Sequence, residues 1–531
     1  MNAFVSSLKL SLVRVLIFAA IVFLLQPQVL RAQAPETVLQ AAFNSLSSQR
    51  MLADIRTLSN PSFNGRQSGT STDLESARWV AQEFLSAGLR LPLVRNDSLT
   101  APSFTSNDLA ASGAMASPIS TPVIAPDPIL QAGPAERLAA KAFGSDYLPI
   151  FDSPSADVHG PIVFVGYGIV DPSHEIDDYA GVDVTNCIVL FLRGKPEHYP
   201  RSVSHADKVR VAREHGAIGY LTATGPILHP YEMRRGVSGR PNAFYGQVPL
   251  DHAIPGAWIS TAVAQELLAG SNNDTPDRLR ISQDHLNHRA SSQATKTDQA
   301  ASLQWTTTTE DGVLVNVLGM IPGVEPDTVI IGAHRDHFGR PGGLLFPGAD
   351  DNASGTAVIL ELARVLAKVG VRPQLTILFA SFSGEERDLL GSRLYTSRPP
   401  IPLSATKAMI NIDHAGVGNG RLTVGMTGIE NDVALEAGQS AGVKEKLDLY
   451  GFFPGGDHVP FKEAGVPTIT VVSGGVHPHF HQPTDTADTI DPKILNTTAQ
   501  FALALTWQLA YGSTDSVGES TTAPPVPLSP K

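Results

Sequence analysis

Histidine and acidic side chains recur in this sequence immediately after short apolar runs. The run 328–333 leads into His334-Arg335-Asp336-His337, the run 375–382 into Ser383-Gly384-Glu385-Glu386, and the run 408–412 into Asp413-His414. The run 468–472 leads to a loop carrying His477, His479 and His481. Between the first two lies Gly348-Ala349-Asp350-Asp351-Asn352-Ala353-Ser354-Gly355, a glycine-flanked acidic loop that opens an apolar helical pattern. Carboxylates brought close together repel one another and need a cation. Histidine nitrogens with Asp and Glu oxygens suit Zn²⁺ or a similar first-row ion. Taken singly, His334 would be an interior histidine, Glu385-Glu386 a solvated pair and Asp351 a helix cap; the repeated arrangement is what requires a metal site.

The elements that must position these residues follow from the texture of residues 310–512. β-branched apolar runs alternate there with amphipathic helical patterns such as the one from Gly355 to Val369. That alternation predicts an α/β fold with a mixed, largely parallel sheet covered by helices on both faces. The carboxyl ends of parallel strands share one crevice, so the clusters that follow those strands converge. The acidic loop then directs a carboxylate either into the crevice or onto the helix N-terminus.

The remaining chain divides by composition. Residues 1–34 read as a secretory signal peptide, with Lys9 and Arg14 before an apolar run at 15–25 and small residues at Arg31-Ala32-Gln33-Ala34. Cleavage after Ala34 would leave Pro35 at the cut, so cleavage after Ala32 is the expectation. Residues 35–150 hold an N-terminal part of the catalytic domain and a connection. Thr72 with Glu75 suggests a capping box and Gly88 a stop, and the Ala/Ser/Pro-rich stretch 101–144 reads as an extended surface connection. Residues 151–285 read as an inserted β-rich module, with a helix over 207–215, and 286–309 as a polar linker. Residues 513–531, rich in Ser, Thr and Pro, read as a disordered tail.

Composition excludes several functions. A formal charge of −12 without Lys/Arg clusters argues against nucleic acid and anionic membranes. With 42% hydrophobic and 17% charged residues, the body beyond the signal reads as water-soluble and exported, periplasmic or secreted. Cys187 is the one cysteine, which rules out an intramolecular disulfide and cysteine-based zinc motifs. HExxH, GxSxG and phosphate-loop patterns do not occur, so zincin, serine-hydrolase and nucleotide-dependent chemistry lack support.

The ordered set GAHRDH, GADDNASG, FSGEE, NIDH and FHQPTDT, from His334 to Thr486, resembles the co-catalytic zinc exopeptidases of the bacterial leucyl aminopeptidase type, relatives of glutamate carboxypeptidase and the transferrin receptor. RQSGT at Arg66 to Thr70 looks like the opening of the same peptidase domain. VFVGYGI, DDYAGVDV and CIVLFLRGKP resemble the protease-associated domain inserted in several members. The resemblance implies two Zn²⁺ ions, one held by His334 and Asp413, the other by Glu386 and His481, with Asp351 bridging. It places Glu385 as general base toward a water shared by the ions, with Asp336 orienting His334. Peptides with a free N-terminus are the implied substrates and no membrane partner is implied beyond the signal sequence. Arg335 and His414 depart from the commonest family pattern and are expected to alter the pocket's shape or field. Asp457-His458 looks like a substrate-side loop, and His477 and His479 like loop histidines outside the metal shell. A carboxypeptidase, a glutaminyl-cyclase-like enzyme or a noncatalytic binding protein of the same fold are the rival readings. A carboxypeptidase should show an arginine cluster, whereas only Arg335 is basic within the motifs.

Overall fold

A computed structural model of the chain describes residues 35–92, 113–228, 232–233, 236–269, 277–288 and 294–512. The signal-peptide reading of 1–34 and the tail at 513–531 lie outside the described residues. The chain forms two units divided after Asn44, and the described residues of the first, 35–44, lie in helix α1 (Pro35–Ser45).

In the second unit, α2 (Ser48–Leu58) and α3 (Ser71–Ala87) precede strand β1 (Ala114–Ile124). The chain then builds β2 (Ile129–Pro134), β3 (Ala139–Ala140), β4 (Tyr147–Pro149), β5 (Ala156–Phe164), β6 (Val170–Asp171), β7 (Ile176–Asp177) and β8 (Ile188–Leu192). It continues through α4 (His205–Glu214), β9 (Gly219–Ala223), β10 (Gly256–Ile259), α5 (Thr261–Ala269), α6 (Arg278–Asn287) and β11 (Thr295–Trp305). It returns as β12 (Thr307–Ile321), β13 (Glu325–His334), α7 (Gly355–Leu366), β14 (Leu375–Phe382), α8 (Leu390–Ser397) and β15 (Thr406–Asp413). The last elements are β16 (Leu422–Thr427), α9 (Asn431–Ser440), β17 (Leu447–Tyr450), α10 (His458–Glu463), β18 (Thr468–Ser473) and α11 (Pro492–Tyr511).

Two eight-stranded sheets result, one in the order β1-β12-β14-β13-β15-β18-β16-β17 and one in the order β3-β2-β11-β5-β8-β9-β10-β4. The first has a parallel centre, β14, β13, β15 and β18, flanked by antiparallel β12 and β16. Its central strands read as unbroken apolar runs because both faces are covered. Phe379 meets Phe84 of α3 on one face, while Phe382 meets Tyr395 of α8 and Phe461 of α10 on the other. Helices α7 and α11 cover the same face as α3. This is the mixed, largely parallel α/β architecture that the sequence predicts.

Three expectations are corrected. Residues 113–144 are not a surface connection: β1 pairs along its length with β12, from Ala114 with Val317 to Ile124 with Thr307. Residues 286–309 are not a linker: β11 runs between β2 and β5 inside the second sheet. Its first residues alternate exposed and partly buried, which gives the polar texture. In both cases the partner strand is distant in sequence, so no local pattern announces the pairing. Helix α3 starts two residues earlier than the Thr72–Glu75 pattern suggests, with Thr70 Oγ1 accepting from Asp73 N, while Gly88 closes it in the left-handed conformation as expected.

Arg335 does not shape the crevice. It is fully buried behind the end of β13, where it donates to Asp73 Oδ1 at 2.9 Å, Val315 O at 2.7 Å, Ser76 Oγ at 3.1 Å and Ser381 O at 3.2 Å. Asp73 in turn accepts from Ser383 Oγ at 2.7 Å, so one ion pair ties α3 to the middle of β12 and to the carboxyl ends of β13 and β14. Removing one partner leaves the other charge buried and unpaired. Asp73→Ala is therefore expected to lower stability by about 3–5 kcal/mol in urea unfolding, and a loss below about 1 kcal/mol, the scale of an exposed pair, would contradict this role.

Candidate metal centre

Because β14, β13, β15 and β18 run parallel and in adjacent register, the residues after their carboxyl ends face one crevice. His334 ends β13 and Asp413 ends β15, and their Nε2 and Oδ1 atoms lie 3.4 Å apart. His334 Nε2 is also 3.4 Å from Asp351 Oδ1 and 3.9 Å from Glu385 Oε2. The second oxygen of Asp351 lies 3.1 Å from His481 Nε2, which is itself 3.5 Å from Glu386 Oε2. Asp351 thus turns one oxygen to each of two His–carboxylate pairs, and all the residues read from sequence as ligands meet around it.

Asp351 reaches this position from an irregular turn over Ala349–Ser354, whose Asp351–Asn352 peptide is cis. Asp485 accepts from the backbone N–H groups of Asp350 and Asp351 at 2.9 Å and 3.0 Å. Asn352 Nδ2 donates to Ile412 O at 2.9 Å, tying the turn to β15. Arg66, fully buried in the RQSGT segment, donates to the carbonyls of Pro347 and Gly348 at 2.8 Å each and also to those of Leu58 and Arg335.

The electrostatics show what the arrangement requires. Burial, and then Asp413, Asp457 and Asp351 nearby, push Glu385 up to about 8 against the pull of His334. Burial with Asp351 and Glu385 raises Glu386 well above the carboxylate range. Asp351 and Asp413 are held below their usual value although burial opposes it, because His414 and His481 face the first and His414 and His334 the second. Charged carboxylates this close in a dry site need protons or a cation. His334 Nε2 and Asp413 Oδ1 are both buried without a hydrogen-bond partner. Two orphaned ligand atoms aimed at a common point are what a metal ion would satisfy, so the donor set fits the implied ions.

Asp336 lies behind His334, its carbonyl 3.2 Å and its carboxylate 3.7 Å from Nδ1, and its Oδ1 accepts from Glu385 N at 3.2 Å. Glu385 projects into the crevice, whose walls include Asp413, His414, Phe453, Val472 and Phe480. His414 faces Asp350 through Nδ1 at 3.3 Å and Asp351 through Nε2 at 3.7 Å, so unlike Arg335 it does reach the pocket. His479 contacts Thr484 at the surface, whereas His477 is buried, 2.7 Å from Asp350 Oδ2 and 3.0 Å from Ser473 O. Asp457 and His458 are buried behind the crevice wall, His458 Nε2 bonding Phe453 O at 2.7 Å. The wall is formed instead by residues 453–456.

Sequence reasoning gave no role to His337 and Asp485. His337 Nδ1 lies 2.7 Å from Glu386 Oε1 and positions that carboxylate, as Asp485 positions the Asp351 turn. Both stand inside the quoted motifs GAHRDH and FHQPTDT, which was the available signal. His481 Nδ1, the ring nitrogen away from Asp351 and Glu386, meets the Ala243 carbonyl at 2.9 Å.

Residues 316–506 match the model of peptidase family M28. Leucine aminopeptidase 1 from Ajellomyces dermatitidis is 30% identical over 217 residues, which cover 37% of this chain and 56% of that protein. The chain spans a little over half the length of the curated relatives it matches, 58% and 56% for the first two. Among solved structures, the aminopeptidase from Aneurinibacillus sp. strain AM-1 superposes with a TM-score of 0.61 at 23% identity over 91% of this chain and 98% of that one. A zinc aminopeptidase from Bacillus subtilis gives 0.55 at 20% identity over 89% and 97%. Both likenesses establish the fold.

A cation entering this cluster removes carboxylate repulsion only in the folded state. Zn²⁺ at about 100 times its dissociation constant is expected to stabilise the chain by about 2.7 kcal/mol, seen as a rise in melting temperature that a chelator reverses. An unchanged melting temperature would show that the cluster holds protons rather than metal.

Proposed function

We propose that this chain, through its M28 peptidase segment at residues 316–506, is an exported zinc-dependent aminopeptidase that removes N-terminal residues from peptides. The observation that supports it most is the placement of Asp351 between His334 with Asp413 and His481 with Glu386, leaving Glu385 spare at the crevice. One carboxylate serves two cation positions, and a second carboxylate is free to move a proton.

Two Zn²⁺ bound by these residues would lower the pKa of a water at the site and stabilise the oxyanion of amide hydrolysis. The chain's own residues do the rest. His334, Asp413 and Asp351 would hold one ion and His481, Glu386 and Asp351 the other. Asp336 and His337 fix the His334 ring and the Glu386 carboxylate from behind. Glu385 accepts a proton from the attacking water and returns it to the leaving amine, the work of a single positioned carboxyl group. Phe453, Val472 and Phe480 exclude water and offer an apolar wall to the first side chain of the peptide.

The structure bears on the rival readings. Arg335 faces Asp73, Arg66 is enclosed by carbonyls, and among the described residues lining the crevice there is no Lys or Arg to take a substrate carboxylate. This supports recognition of a free amine over that of a free carboxylate. Export is read from the N-terminal segment, and among the described residues no helix is long and apolar enough to cross a membrane.

The test is hydrolysis of free and N-acetylated aminoacyl amides before and after chelation and zinc restoration, with Glu385→Gln beside the wild type. Cleavage restricted to free-amine substrates, lost on chelation and lowered about 10²–10⁴-fold in the variant while zinc stays bound, is expected. Cleavage of the acetylated substrates would replace the aminopeptidase with another amide hydrolase, and no turnover with no bound metal would leave a binding protein.

A further inference from the structure

The two halves of the metal cluster rest on different parts of the molecule. His334 and Asp413 are carried by the first sheet and backed by it: Thr356 of α7 donates to the His334 carbonyl at 2.8 Å, and the Asp336 carbonyl faces Nδ1 at 3.2 Å. His481 is backed by the inserted module. Its Nδ1 lies 2.9 Å from Ala243 O, and Ala243 N donates to the His481 carbonyl, also at 2.9 Å. On one side Asn242 Nδ2 donates to Phe480 O at 2.7 Å, and on the other Gln482 Nε2 donates to Pro241 O at 2.8 Å.

Packing repeats the asymmetry. Phe480 stacks on the His481 ring at 3.7 Å and belongs to a buried cluster of the module with Val237 and Trp258. Phe338, edge-on to His481 at 4.7 Å, packs against Phe151 and Tyr245 of the module. At Gly236 a Cβ would lie 1.7 Å from the His477 carbonyl, so the module backbone presses directly on the histidine loop.

We infer that the inserted module is a working part of the metal centre, its segment 241–243 fixing the ring of His481 and thereby setting the affinity of one ion of the pair. The inference rests on the two-metal reading above. An imidazole ligates through a nitrogen that has no proton, and in the neutral ring a carbonyl accepting from Nδ1 keeps the proton there and off Nε2, which faces Asp351 and Glu386. Without that partner the ring can rotate or take the other tautomer. The ion held by His334, Asp413 and Asp351 has no such dependence, so any event that shifts the module changes the occupancy of one position and spares the other. Asn242 and Gln482 are positioning residues, acting on the metal only through His481.

The experiment is titration of the zinc-free full chain with Zn²⁺ against a chromophoric chelator, for the wild type, Asn242→Ala and Gln482→Ala. The expected result is two ions on the wild type, and in each variant one ion at wild-type affinity and the other bound about 10–100-fold more weakly. Two ions at unchanged affinity in both variants would overturn the inference. Equal weakening of both ions would do so too, because it reports general loosening. A wild type that binds one ion or none would instead remove the two-metal reading itself.

Discussion

Carboxylates crowded in a site that excludes water repel one another, and most of the surrounding structure exists to hold them there. Asp351, Asp413, Glu385, Glu386 and Asp336 face or flank one crevice, with Asp350, Asp457 and Asp485 packed behind. Several are offset locally. Asp485 receives two backbone N–H groups, Glu386 receives His337, and Asp350 receives His414 and His477. Among the buried atoms left without a hydrogen-bond partner are His334 Nε2 and Asp413 Oδ1, which face each other across the crevice, and a cation there would satisfy both.

The parallel centre of the first sheet is what makes this crowding possible. Strands in register deliver their carboxyl ends to one level, and a side chain one or two residues beyond each end has little choice of direction. The framework must also resist the repulsion it creates. Two buried arginines supply that resistance without entering the site: Arg335 clamps α3 to the strand ends through Asp73, and Arg66 holds the acidic turn by its carbonyls. Positive charge close behind a carboxylate cluster favours the ionised, metal-ready form.

The second sheet enters the same logic. Its loop at 241–243 meets the loop at 480–482 through hydrogen bonds in both directions, so the insertion reaches His481 and is more than a cover on the crevice. The crevice wall at 453–456 comes from the first sheet's own connections.

Residue types and local order were enough to expect which side chains would share one crevice. His and Asp/Glu placed just beyond apolar runs point to a parallel sheet with these side chains gathered in one crevice, because periodicity and strand ends are local properties of the chain. Asp351, Glu385 and their partners could be named on that basis together with the family pattern. Tertiary structure alone decided the rest. Arg335 looked like a pocket residue and became a buried clamp, since its partner Asp73 is far off in sequence. β1 and β11 were hidden because each finds its partner across a long stretch of chain. The Ala243 carbonyl that orients His481 left no mark at all in the sequence: it is a backbone atom, and every residue has one.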